Sequence, residues 1–207
     1  MPFEERRNDL VDRLTARESL DGATGAAMRA VPRHEFVPAE RREAAYADRP
    51  LPIGEGQTIS APHMVAIMTD LLGVSPGDAV FEIGTGCGYH AAVTAEVVGP
   101  EHVYSVEYHD NLAERARETL DATGYGDVSV RAGDGRAGWP EHAPYDAAYL
   151  TCAARDFPPA IVEQVRTDGV VLGPLGDGRQ VLVRARRNAD GSLDRERHGH
   201  VRFVPLK

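Results

Sequence analysis

A chain of 207 residues, 42% hydrophobic and 6% aromatic, has the apolar material for one buried core and is expected to form a single domain. Its formal net charge of -9 works against non-specific binding to nucleic acid or anionic membrane, and no stretch approaches the ~20 apolar residues of a membrane span. Two cysteines at unrelated positions and scattered histidines give neither a disulfide framework nor a metal-ligand cluster, and Met1–Arg7 lacks an apolar signal region, so a cytoplasmic, metal-free protein is expected.

Phe3 to Ala16 sets Leu10, Val11 and Leu14 among charges, the pattern of an amphipathic surface helix. A second helical stretch, about Asp21 to Ala30, runs into Val31–Pro38, where Pro32 and Pro38 bracket an octet expected to be extended. Arg41 to Ala47 reads as a short helix. The two prolines and two glycines of Pro50–Gly56 then exclude a regular helix or a central strand. A stiff loop is expected there, presenting Gln57, Thr58, Ser60 and His63 and opening a helix near Pro62. A rigid polar segment just ahead of a glycine-rich loop suits substrate selection. The plainer reading is a connection between N-terminal helices and core.

The sheet is expected to start after Gly73. Asp78–Ile83 is a short apolar run bounded by glycine, hence a buried strand. Gly84-Thr85-Gly86-Cys87-Gly88 follows, and Tyr89 to Val98 has helical periodicity. Strand, glycine loop and helix together aim backbone N–H groups at a ligand. The spacing is G-x-G-x-G with Tyr89 in sixth place, where a dinucleotide fold wants a small residue. A ligand without phosphates, such as S-adenosylmethionine, fits better than NAD or FAD. His102–Val106 is a second strand ending in Glu107, placed where doubly wound folds hold a ribose through its hydroxyls. A carboxylate accepts two charge-assisted bonds from a vicinal diol, though a solvated strand-end charge would look the same in sequence.

A helix over Asn111–Ala122 leads to a third strand near Val128–Val130 and the turn Gly133-Asp134-Gly135, whose aspartate could meet an adenine amino group. A fourth strand, Asp146–Leu150, ends at Thr151. Four strand ends then face one crevice, as ligand sites do in open α/β sheets. Beyond a helix over Pro159–Val165 and the turn Asp168-Gly169 come strands at Val170–Leu172, Gln180–Arg187 and Gly199–Pro205. The last two form a hairpin around Asn188–Ser192. The expected fold is α/β and Rossmann-like, mostly parallel, with an antiparallel C-terminal hairpin. Residues 1–75 would carry helices and substrate loop, and residues 76–207 the cofactor-binding sheet. Lys207 is the only lysine. An arginine-only acidic surface suits concentrated salt, where screening removes self-repulsion; GC-rich coding would also produce it.

Four blocks carry a resemblance. They are Val31-Pro32-Arg33-His34-Glu35-Phe36-Val37-Pro38, Pro50 through Met64, Phe81 through Ala92, and Val201 through Leu206. Together they resemble the protein-L-isoaspartate (D-aspartate) O-methyltransferase family across nearly the whole chain, with the Pro50–Met64 block the most specific. The resemblance implies S-adenosylmethionine as methyl donor and isoaspartyl-containing proteins and peptides as substrates, with a monomer expected. It makes Ser60 the active-site residue and places Gln57, Ser60 and Val204 beside the substrate. It assigns the donor to Thr58, Ile59, Ser60, His63, Glu82, Gly84, Thr85, Gly86, Gly88, Glu107, Asp134, Gly135 and Thr151. Departures are Tyr149, where the family has an aliphatic residue, Cys152, where it has alanine or glycine, and Lys207, where it continues with threonine.

The family's reaction esterifies the α-carboxylate of an isoaspartyl residue. That group is already ionised at pH 7, so no general base is required. Ser60 is expected to fix it with neutral donors; a helix cap at Pro62 is the bland role for the same serine. His63 and His90 read as hydrogen-bonded structural histidines, and Cys87 and Cys152 as small core fillers. Two other readings stay open: a methyltransferase for RNA or a small molecule, and a non-catalytic cofactor-binding adaptor.

Overall fold

The computed structural model describes all 207 residues. Helix α1 (Phe3–Glu18) buries the stripe Leu10, Val11 and Leu14, and α2 (Gly22–Ala30) starts at Asp21, whose carboxylate accepts the Ala23 N–H at 2.8 Å. The Val31–Pro38 octet is not extended throughout: Arg33–Glu35 form a 3₁₀ turn. Pro32 constrains the residue before it, and Val31 is extended at ψ 120°, but the residues after a proline are free to turn. Ala39–Ala44 form a second 3₁₀ turn where the sequence predicts a short helix from Arg41.

The Pro50–Met64 segment corrects a second expectation. It is a two-stranded antiparallel hairpin, β1 (Leu51–Gly54) with β2 (Gln57–Ile59), rather than a loop. Glu55 and Gly56 both take positive φ, 52° and 70°, which is the two-residue turn that matches strand twist. Leu51 and Ile53 point inward and Pro52 outward, and an isolated ribbon leaves room for a proline on an outer edge. Helix α3 (Pro62–Leu72) begins at Pro62 as expected and stops at Gly73 in the left-handed region.

The core alternates β3 (Val80–Ile83), α4 (Tyr89–Val98), β4 (Val103–Glu107), α5 (Asp110–Ala122), β5 (Ser129–Ala132) and β6 (Tyr145–Leu150). Then follow α6 (Pro159–Gln164), β7 (Val165–Leu175), β8 (Gln180–Arg187) and β9 (Leu193–Val201). The sheet order is β5-β4-β3-β6-β7-β8-β9, parallel up to β7 and antiparallel beyond it. The chain winds outward through β4 and β5, then crosses to β6 on the other side of β3. That reversal opens a crevice at the ends of β3 and β6.

Two strands differ from the sequence reading. β7 starts at Val165, because Asp168-Gly169 is a bulge inside the strand, with Asp168 at φ 62°. β9 covers Leu193–Val201 instead of Gly199–Pro205; nearly all of it is exposed, so no apolar alternation announces it. The two sheet faces carry separate apolar cores, one under α1–α5 and one around Phe157, Ile161 and Val183. No helix is long and apolar enough to cross a membrane.

Candidate active site

The glycine loop is held by its own backbone. Gly84, Gly86 and Gly88 have φ of 98°, 58° and 88°. At Gly84 a Cβ would stand 2.3 Å from the Thr151 hydroxyl oxygen, which itself donates to the Ile83 and Gly84 carbonyls at 3.1 and 2.5 Å. The N–H groups of Gly84, Thr85 and Gly88 bond to Val106 and Thr85 carbonyls. That of Gly86 donates to Glu107 at 2.8 Å. Few N–H groups remain to cradle a phosphate, which agrees with the phosphate-free ligand read from Tyr89.

Glu107 is 4% exposed, and its other oxygen accepts the His109 N–H at 3.0 Å. The carboxylate is therefore fixed at the crevice wall with lone pairs to spare for a diol. The crevice encloses about 540 Å³. Its walls include Gln57, Thr58, Gly84, Gly86, Glu107 and Gly135 on one side of the sheet ends. Thr151, Cys152 and the C-terminal run Val204–Lys207 complete it. Ala153 holds that run through backbone bonds to Val204 and Leu206 at 2.7 and 2.8 Å. A second cavity of about 300 Å³ contains Ile59, Ser60 and Thr85, and it shares Thr58, Gly84, Gly86 and Thr151 with the first.

Four expected donor contacts lie elsewhere. Glu82 is wholly buried beneath the floor, accepting the Tyr149 and Ser105 hydroxyls at 2.8 and 2.5 Å, and burial pushes its carboxyl up to about 7. Ser105 continues to Thr85 at 2.5 Å, and Tyr149 to Thr94 at 3.1 Å. His63 binds Asp48 through ring and backbone, at 2.8 and 2.9 Å. Gly88 begins α4, where a Cβ would press on Leu120. Asp134 is not among the residues lining the crevice: it caps the turn after it and takes a bidentate bond from Arg136, which holds its pKa below the usual carboxylate range. Its neighbour Gly135 is the residue that lines the crevice, with a would-be Cβ 2.5 Å from Ile83.

Ser60 is not a helix cap; Ala61 holds that position without a side-chain bond. The Ser60 carbonyl accepts Arg33 Nη2 at 2.7 Å; the residue lines the second cavity, and its hydroxyl bonds to no other protein group. Arg33 is fully buried, donates Nε to the Ala45 carbonyl at 2.8 Å and stacks 4.7 Å from the Tyr89 ring centroid. The sequence singles out its block but not this role, because an arginine reads as a solvated charge. Tyr108 and His109 were also missed as lining residues; both follow a strand end already identified. Burial raises the Cys87 and Cys152 thiols to about 11 and 12, which keeps both neutral, and both are free.

A fixed strand-end carboxylate, a glycine loop with its N–H groups already engaged, and a switch-point crevice define an S-adenosylmethionine-dependent methyltransferase. The family model for protein-L-isoaspartate(D-aspartate) O-methyltransferase matches residues 5–207. Protein-L-isoaspartate O-methyltransferase 2 of Archaeoglobus fulgidus is 50% identical over 100% of this chain and 95% of its own. The Methanopyrus kandleri enzyme of that name is 49% identical over 99% and 92%. A solved protein-L-isoaspartate O-methyltransferase superposes with TM-score 0.88 and 28% identity, covering 97% of this chain and 66% of that longer one. A putative Plasmodium falciparum relative, in complex with S-adenosyl-L-homocysteine, shares the fold at TM-score 0.83, with 24% identity and coverage of 97% and 98%. This chain belongs to the protein-L-isoaspartate(D-aspartate) O-methyltransferase family.

Proposed function

We propose that this chain repairs damaged proteins by methylating the free α-carboxylate of L-isoaspartyl residues, with Ser60 as the residue that positions that carboxylate. The observation that carries the reading is the junction of two cavities, donor crevice and Ser60 cavity, across Thr58, Gly84, Gly86 and Thr151. When bound, S-adenosylmethionine supplies an electrophilic methyl on a sulfonium. Glu107 would hold the ribose diol, Gly135 would leave space for the adenine, and Gln57 and Val204 would flank the peptide. The acceptor carboxylate is already ionised and needs no base. His90 is buried neutral with its pKa lowered to about 3, and Glu82 lies under the floor. Rate enhancement then comes from orientation, which can supply up to ~7–11 kcal/mol.

A neutral hydroxyl suits the task, since a cation beside the acceptor oxygen would lower its nucleophilicity. Cavities lined by residues of one chain support a monomeric unit. Residues 1–75 would carry most of the substrate side and residues 76–207 most of the donor side, with Thr58 and Val204 crossing between them. Free thiols at both cysteines fit a cytoplasmic setting. A labelled-methyl assay with isoaspartyl and aspartyl forms of one peptide tests the reading: methylation should be confined to the isoaspartyl form, and equal rates would overturn it. Ser60→Ala should lower kcat by about 10- to 100-fold, as loss of one positioned donor does, with donor affinity unchanged. Wild-type turnover would remove Ser60 from the mechanism.

A further inference from the structure

Beside the crevice lies a shallow depression of about 690 Å³ that the repair reaction does not use. Arg155, Arg179, Arg195 and Arg197 surround it, over an apolar floor that includes Val181 and Val183. We propose that it docks acidic side chains of the substrate polypeptide, several residues from the damaged one. This rests on the isoaspartyl reading above.

The charge pattern of the hairpin is the first ground. On one face of the β8–β9 ribbon, Glu196 sits opposite Arg184 and Asp194 opposite Arg186, so carboxylates and guanidiniums neutralise each other across the strands. On the other face Arg195 sits opposite Ala185 and Arg197 opposite Val183. No carboxylate answers them from the neighbouring strand. Arg195 reaches Asp156 at 2.8 Å and Arg155 reaches Asp177 at 3.2 Å, the latter pair more than three-quarters exposed on both sides. Arg179 and Arg197 pair with no carboxylate. In a chain of net charge -9, these two unpaired arginines beside two paired ones make a local excess of positive charge.

Position is the second ground. Cys152 lines the donor crevice and Arg155 lines the depression. The residues between them are pinned on both sides, Ala153 to Pro205 and Ala154 to Leu175. Three residues of chain span at most about 10 Å, so the crevice wall and the arginines are near neighbours. An extended substrate leaving the crevice on that side brings residues about three to six positions away over the depression. Guanidinium groups bind carboxylates in a planar, two-point geometry, which lysine would not offer.

Three isoaspartyl peptides test this with the full-length protein and S-adenosylmethionine: a neutral one, and two with a glutamate pair placed three to six residues before or after the isoaspartyl. At about 0.1 M salt one acidic peptide should show a KM about five- to tenfold below the neutral one, since an exposed pair gives up to about fivefold. Arg179→Gln with Arg197→Gln should erase that advantage while leaving the neutral peptide's kcat and KM within about twofold. Salt at 1 M, where the Debye length is about 3 Å, should erase it in the wild type. Equal KM for all three peptides would overturn the docking site, as would a variant that raises every KM alike. If no isoaspartyl peptide is methylated, the repair reading fails instead. Fluorescence anisotropy of the labelled acidic peptide, on wild type and variant, then decides the docking site by itself: tighter binding to the wild type supports it, equal binding ends it.

Discussion

The floor of the donor crevice and the hairpin beside it are secured by opposite means. Under the floor, Glu82, Ser105, Thr85, Tyr149 and Thr94 form one buried chain of hydrogen bonds within adjoining strands and helix. The β1–β2 hairpin instead packs Leu51, Ile53 and Ile59 into the core and is tied down by single guanidiniums. Arg33 holds the Ser60 carbonyl at 2.7 Å, and Arg115 on α5 holds the Ile53 carbonyl at 3.0 Å. A network of linked side chains fixes a surface by redundancy. A segment whose polar ties are two guanidiniums loses its exact placement when one is removed, so donor binding and substrate positioning should separate under mutation.

Gly84→Ala should break the donor side most severely. The left-handed φ and the clash with Thr151 together imply strain on the order of 3 kcal/mol, hence about a 100-fold loss of affinity for S-adenosylhomocysteine in calorimetry. Arg33→Met should break the other side. It leaves the buried carbonyl of Ala45 without a donor, at about 1–3 kcal/mol, and the part-buried one of Ser60 at a smaller cost. Stability should fall, and in the folded fraction kcat should drop at least about tenfold while S-adenosylhomocysteine affinity stays within about twofold. An equal loss of both would mean that the two regions are one mechanical unit. Arg33→Lys, able to serve one carbonyl, should fall between.

The smallest effect concerns pH. Burial raises Glu82 to about 7, so the folded chain keeps a proton that the unfolded carboxyl has released above about 4.5. The stability associated with that proton is fully present below 4.5 and is lost as pH rises through 7. His90 has the opposite sign: with its pKa lowered to about 3, stability is lost as pH falls below 6.5. In wild type the two slopes offset each other between pH 4.5 and 6.5, and above that window only the Glu82 slope remains. In urea melts, Glu82→Gln should therefore gain on wild type by about 1 kcal/mol between pH 6 and pH 8. A constant difference across that range would mean that Glu82 is ionised throughout.

The same contrast explains what could be read from the sequence. The strands from Val80 to Leu150 were legible because they are short runs rich in apolar residues, two of them closed by Gly84 and Gly133, and Glu107 because it ends one of them. The hairpin was not, since prolines and glycines in a central strand would be fatal but in a two-stranded edge ribbon are tolerated. β9 escaped notice because both its faces are charged and wet. Glu82 came to the donor list through the family resemblance; the positions of Ser105 and Tyr149, which sequence does not give, place it in the floor network. At Asp134 an arginine two residues away engages the carboxylate.

The scarcity of lysine has a practical side. Lys207, the only lysine among these 207 residues, is exposed at the lip of the crevice with Nζ 3.0 Å from His109 Nε2. An amine-directed dye, applied where the α-amino group at Met1 is blocked, would attach at one place without any engineering. Its fluorescence would then follow occupancy of the crevice in real time.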